Sequence, residues 1–154
     1  MLHIFSNIAY LIAGIYTGEP VLMLSMTSLA IGSFMGHWRG GLWWRADWIG
    51  MYLVFASLIL HNVGLPEAFY IIYGAIVALG LYYKKDDYVL IGILWALSVL
   101  SAYFANVEVV APILLFAVAL AIRQISLKIG TTTYDIVHST WHVLTAIGFV
   151  LLAR

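Results

Sequence analysis

Of the 154 residues, 64% are hydrophobic and only 9% charged, with a mean hydropathy of +1.03; a soluble domain keeps its surface wet with about a quarter of its residues charged, so this composition suits lipid as solvent. Net charge is zero and no basic stripe is present, which excludes nucleic acid as a partner. Cysteine is absent, so disulfides are excluded and any metal site must draw on His, Asp or Glu.

The opening MLHIFSNIAYLIAGIYTG has neither the basic n-region nor the small-residue cleavage site of a signal peptide, and reads as a first membrane span. Cutting the chain at its charged and Gly/Pro punctuation gives seven apolar segments of near-spanning length, at roughly 2–17, 20–38, 46–62, 66–83, 88–105, 108–127 and 131–153. In hydrocarbon each must satisfy its own backbone, so each is expected to be a helix. The connections are short: Gly18 to Pro20, His37 to Arg45, Val63 to Pro66, Lys84 to Asp87, Asn106 to Glu108 and Lys128 to Thr131. Consecutive helices are therefore expected to be antiparallel neighbours. The expected fold is all-α, a single seven-transmembrane bundle over residues 1–154.

Positive charge sets the orientation. The side holding the N-terminus carries Arg39, Arg45, Lys84, Lys85, Arg123 and Lys128, whereas the opposite side carries only Arg154, with Glu19, Glu67 and Glu108. The N-terminal side is expected to be cytoplasmic and the C-terminus outside, in a plasma (inner) membrane.

Ionisable groups inside spans are costly and tend to serve function. Ser33 and His37 stand four apart near the end of the second helix, Asp47 opens the third, and His138 and His142 stand four apart in the seventh. Residues four apart share a helix face. In a seven-span serpentine, helix 2 ends and helices 3 and 7 begin on the N-terminal side, so all five residues fall toward the cytoplasm. Three imidazoles with an open position form the ligand set of a catalytic zinc, with His37, His138 and His142 as ligands. Zinc so held lowers the pKa of bound water to about 7. Asp47 would orient that water and take its proton, and Ser33 would donate to a developing oxyanion.

Each residue taken singly has a simpler reading. The histidine pair can make interhelical hydrogen bonds, His37 can be interfacial beside Trp38 and Arg39, Asp47 can be a helix N-cap, and Ser33 can serve packing through the spacing Gly32-x3-Gly36. Asp135, three residues before His138, is either an acceptor for a ligand N–H or an acid at the helix start. Asn7 is a further candidate for the cavity wall. His3, His61, Asp86 and Asp87 read as solvated or headgroup-facing, and Trp43, Trp44 and Trp48 as an interfacial aromatic belt. One mismatch of depth arises: His142 lies roughly 16 Å into a helix begun at Thr131, whereas His37 is near the end of its own. Protrusion of helix 7 and continuation of helix 2 toward Trp44 are both expected to contribute.

Ser-x3-His on helix 2, Asp at the start of helix 3 and His-Ser-x-Trp-His on helix 7, in that order, resemble the superfamily of alkaline ceramidases and adiponectin receptors. The likeness runs from Ser6-Asn7 to His142. It implies seven membrane helices, zinc on His37, His138 and His142, Ser33 and Asp47 around the metal-bound water, and hydrolase activity on lipids. The acidic N-terminal segment through which ceramidases bind calcium has no counterpart before Ser6, so the resemblance does not extend to calcium or to strict ceramide specificity. The expected function is zinc-dependent hydrolysis of a lipid amide or ester. The alternatives are a zinc-containing receptor without turnover, and a haem carrier using His37 against His138 or His142 as axial ligands.

Overall fold

Gly18, Gly40, Gly41 and Gly64 all adopt positive φ, and each lies where one helix ends and the chain turns toward the next. The computed structural model describes residues 5–41, 43–82, 88–126 and 131–153. Among these the fold is all-α, with seven helices and no strand: α1 (Ile8–Thr17), α2 (Pro20–Arg39), α3 (Trp43–Asn62), α4 (Ala68–Tyr82), α5 (Tyr88–Phe104), α6 (Val110–Ser126) and α7 (Thr131–Leu152). The charged turn Lys84-Lys85-Asp86-Asp87, together with His3, Lys128 and Arg154, lies outside the described residues.

Local chemistry accounts for the breaks. Pro20 opens α2, where its missing N–H costs nothing. The Glu108 carboxylate accepts from the backbone N–H groups of Val110 (2.6 Å) and Ala111 (3.2 Å) and so caps α6. Gly40 and Gly41 form the sharpest reversal, with φ of 64° and 59°. Their left-handed backbone, open to glycine without steric cost, stops α2 at Arg39 and lets α3 begin already at Trp43. Asp47, expected at the start of helix 3, is thus its fifth residue. It is not an N-cap.

The helices are assembled around α3 and α7. α3 lies against α2, α4 and α5, while α7 packs on α6 and α1. The α2–α3 crossing is the closest. A Cβ built on Gly32 would overlap the carbonyl oxygen of Ala46 and come within 3.0 Å of the Asp47 nitrogen, and one on Gly36 would lie 3.3 Å from the Trp43 carbonyl oxygen. The expected small-residue packing at Gly32-x3-Gly36 is therefore present, and its partner is the first turns of α3.

The core is apolar, built on Leu22, Met26, Leu29, Phe55, Leu58 and Phe149, and a strip of small polar groups runs through it: the Ser25 and Ser57 hydroxyls share a hydrogen bond of 2.8 Å between α2 and α3, and half-buried Asn62 donates through Nδ2 to Ser101 Oγ at 3.3 Å and to the Leu152 carbonyl at 3.1 Å. The exterior is apolar, with Ile71 at 83%, Phe104 at 74% and Val89 at 73% exposure. Two helices are long and apolar enough to cross a bilayer, Pro20–Arg39 and Thr133–Leu152; the apolar stretches of α1, α4, α5 and α6 are 10–17 residues long.

Candidate metal centre

α2 and α7 carry the three histidines to one place. His37 and His138 approach with their Nε2 atoms 3.1 Å apart, and His142, one turn along α7, has its ring centroid 4.7 Å from that of His138 and 5.4 Å from that of His37. Possible ligand atoms of the three all lie within 4.8 Å of one another. His138 and His142 are buried, His142 completely.

The donor set can hold a metal ion. Nitrogens at zinc-bond lengths of 2.0–2.1 Å around a tetrahedral ion are separated by about 3.3 Å, close to the 3.1 Å between His37 and His138. The widest separation exceeds that edge by about 1.5 Å, which rotation of the imidazoles about their side-chain torsions can close. Three neutral nitrogen bases packed around one buried point also favour a cation there. In the haem alternative the axial ligands stand on opposite faces of a porphyrin; of its two axial pairs, His37 with His138 is closer, at 3.1 Å, than that arrangement allows.

Aromatic rings fix the imidazoles. Trp44 meets His37 edge-on at 4.9 Å, Tyr134 stacks on His138 at 5.0 Å with 20° between planes, and Tyr10 packs on His142 at 5.6 Å. Such contacts limit the imidazoles to small torsional adjustments, of the size that closing on a metal ion requires. Trp44 and Trp48, read from sequence as interfacial belt, stand instead on the wall of the cavity beside the histidines.

That cavity has a volume of about 460 Å³, within the range of small-molecule sites. His37, Asp47 and His138 share its wall with Trp44, Trp48 and Trp141, and most of the remaining surface is apolar. Arg123 of α6 also reaches the wall, with its guanidinium 5.7 Å from the Trp141 ring centroid. One side of the histidine cluster therefore opens to a space that also presents the Asp47 carboxyl group.

The other sequence candidates fall in distinct positions. Ser33 is buried on α2, one turn before His37, but is not among the cavity-lining residues. Asn7 is buried at the start of α1 and also stands off the wall. Asp135 is half-buried at the fifth position of α7, past the first turn, so the reading of a first-turn acid does not hold. Its carbonyl accepts from the Ser139 hydroxyl, and the cavity wall does not include it.

The depth mismatch resolves on the α7 side. α2 ends two residues after His37, whereas α7 starts seven residues before His138, a rise of about 10 Å. α7 overhangs, and α2 does not continue toward Trp44. No protein-family model, no curated protein and no solved structure matches the chain.

Proposed function

We propose that the protein is an integral membrane hydrolase, zinc-dependent, that cleaves an amide or ester bond of a lipid. The observation that carries this reading is the meeting of His37, His138 and His142 at one point, with His37 and His138 on the wall of an apolar cavity that also presents Asp47. The resemblance to the alkaline ceramidase and adiponectin receptor superfamily rests on the same residues. A bundle of seven membrane helices, N-terminus in the cytoplasm and site toward that side, is supported by the apolar exterior, by the polar interior strip and by the distribution of Lys and Arg.

His37, His138 and His142 would hold the metal, which supplies Lewis acidity and brings the ionisation of water to about neutral pH. The apolar walls take the acyl chain and exclude bulk water, which strengthens every polar interaction inside. Asp47 accepts the proton of the attacking water and delivers it to the leaving amine or alcohol. Ser33, one turn from His37, is close enough in the chain to stabilise that end of α2, and an oxyanion role requires its hydroxyl to reach the cavity during turnover.

A receptor with purely structural zinc calls for a closed coordination shell; the cavity at the face of His37 and His138 supports an open one. The deciding experiment presents purified, zinc-loaded protein in detergent with a panel of N-acyl and O-acyl lipids and measures released fatty acid. Release that disappears with chelator and returns with zinc is expected. Inertness of zinc-loaded protein across the whole panel would favour the receptor.

A further inference from the structure

Ser6 lies in the turn that opens α1, where its carbonyl accepts from Ala9 N–H at 3.0 Å. Its side chain leaves that turn toward α7, and Ser6 Oγ stands 2.8 Å from Nδ1 of His142, a residue 136 positions away. Tyr10, one turn further along α1, covers the same imidazole with its ring. α1 and the turn before it thus bring two side chains, Ser6 and Tyr10, to His142.

A neutral imidazole carries its proton on one nitrogen only, and only the other can ligate a metal. With Nδ1 turned to Ser6, Nε2 is the atom through which His142 would bind. Ligation through Nε2 requires the proton on Nδ1, so in the metal-bound state Nδ1–H donates and the Ser6 hydroxyl oxygen accepts. We propose that Ser6 is a positioning residue for the metal centre, fixing the ring plane of His142 with Nε2 toward the site and accepting from Nδ1–H once Nε2 ligates. The inference rests on the metal reading above and adds to it a partner outside the ligand set. Because that partner is a neutral hydroxyl and not a carboxylate, this hydrogen bond would add no negative charge to a metal held on the three imidazoles. It also gives the short α1 a function that its packing alone does not: the start of the chain becomes part of the metal site.

The test uses full-length protein in detergent and the metal alone as probe. Removing such a partner typically lowers metal affinity 10–100-fold, so Ser6→Ala should weaken zinc in competition with a chelator by about that factor, and Ser6→Thr, which keeps the hydroxyl, should restore it to within about threefold. With cobalt in place of zinc, the visible d–d spectrum should change in Ser6→Ala and stay near wild type in Ser6→Thr. The melting temperature without metal should differ little between Ser6→Ala and wild type, and only the increment added by zinc should shrink. A residue that merely caps α1 predicts the reverse, a lower melting temperature without metal and an unchanged zinc increment. Wild-type protein labelled with 15N-histidine gives a check that needs no variant: zinc-loaded His142 should show a protonated Nδ1. A protonated Nε2 there, or equal zinc affinity in wild type and a folded Ser6→Ala, overturns the proposal while leaving the metal site standing. A wild type that takes up neither zinc nor cobalt removes both.

Discussion

His37 and His138, 101 residues apart in the chain, face one another with their Nε2 atoms 3.1 Å apart. Neither α2 nor α7 builds the site alone: α7 supplies two imidazoles with fixed spacing, and α2 supplies the third from a different direction.

Metal retention follows from this division. Purified protein should carry close to one zinc per chain by elemental analysis. His138→Ala and His142→Ala each leave two ligands, so both should lose the metal on dilution into chelator-free buffer, and His37→Ala should do the same. Zinc retained at wild-type stoichiometry by His138→Ala and His142→Ala would end the ligand assignment.

The α2–α3 crossing makes a separate, structural prediction. Gly32→Ala places a methyl into the Ala46 carbonyl, and backbone gives way less easily than a side chain. A cost of about 1–3 kcal/mol is expected, as for overpacked cores, and because Asp47 adjoins this contact, zinc-dependent activity should fall with it. Gly74→Ala in α4 meets nothing within 4 Å and replaces a poor helix former with the best one, so it should be neutral or stabilising by up to about 1 kcal/mol. Equal melting temperatures for Gly32→Ala and wild type would mean that the two helices do not approach this closely.

Topology is testable without activity. On the proposed seven spans, with six Lys or Arg on one side against one on the other, the C-terminus is expected outside and the Lys84-Lys85 turn in the cytoplasm. The chain has no cysteine, so Lys85→Cys gives a single label site; it should react from the cytoplasmic face only, and a reporter fused after Arg154 should respond as external. A cytoplasmic C-terminus would make the span count even and separate the helix starts that the site requires on one side.

Much of this was legible in the chain because hydrophobic punctuation is strong where charge is rare. The boundaries of α2, α4, α5, α6 and α7 lie within two residues of the segments cut at charged and Gly/Pro positions, and the i, i+4 spacing of His138 and His142 fixes their common face whatever the packing. What local sequence did not reveal depends on how helices meet. Trp44 and Trp48 have the composition of an interfacial belt, and only the early start of α3 after Gly40-Gly41 turns them onto the cavity. Ser6 and Arg123 are a turn residue and an exposed-type cation in one dimension, and no periodicity connects either to a histidine. The one signal for Ser6 was its place, with Asn7, in the resemblance. The place of Asp47 within its helix differs from expectation for a local reason: the length of the reversal before it is set by two left-handed glycines, which shift the helix start by three residues.

That shift sharpens the test of Asp47. At the fifth position of α3 it is not the N-cap, so a change to Asn tests the carboxylate on the cavity wall beside His37 and His138 and not a helix start. Asp47→Asn preserves shape and most hydrogen bonding while removing the proton acceptor. If the carboxylate takes the proton of the attacking water, lipid hydrolysis should fall about 10²–10⁴-fold, the usual contribution of general acid–base catalysis. Zinc content should stay near one per chain, since the three imidazoles are untouched, and the melting temperature should move little, since no cap is lost. Asp47→Glu provides the complementary variant: it restores the base but displaces it by one methylene, and should recover part of the activity because proton transfer depends on placement as well as basicity. Wild type and both variants, loaded with equal zinc, would be compared on N-acyl and O-acyl lipids by fatty-acid release. Equal turnover by wild type and Asp47→Asn would remove Asp47 from the chemistry and return the role of base to another group on the same wall.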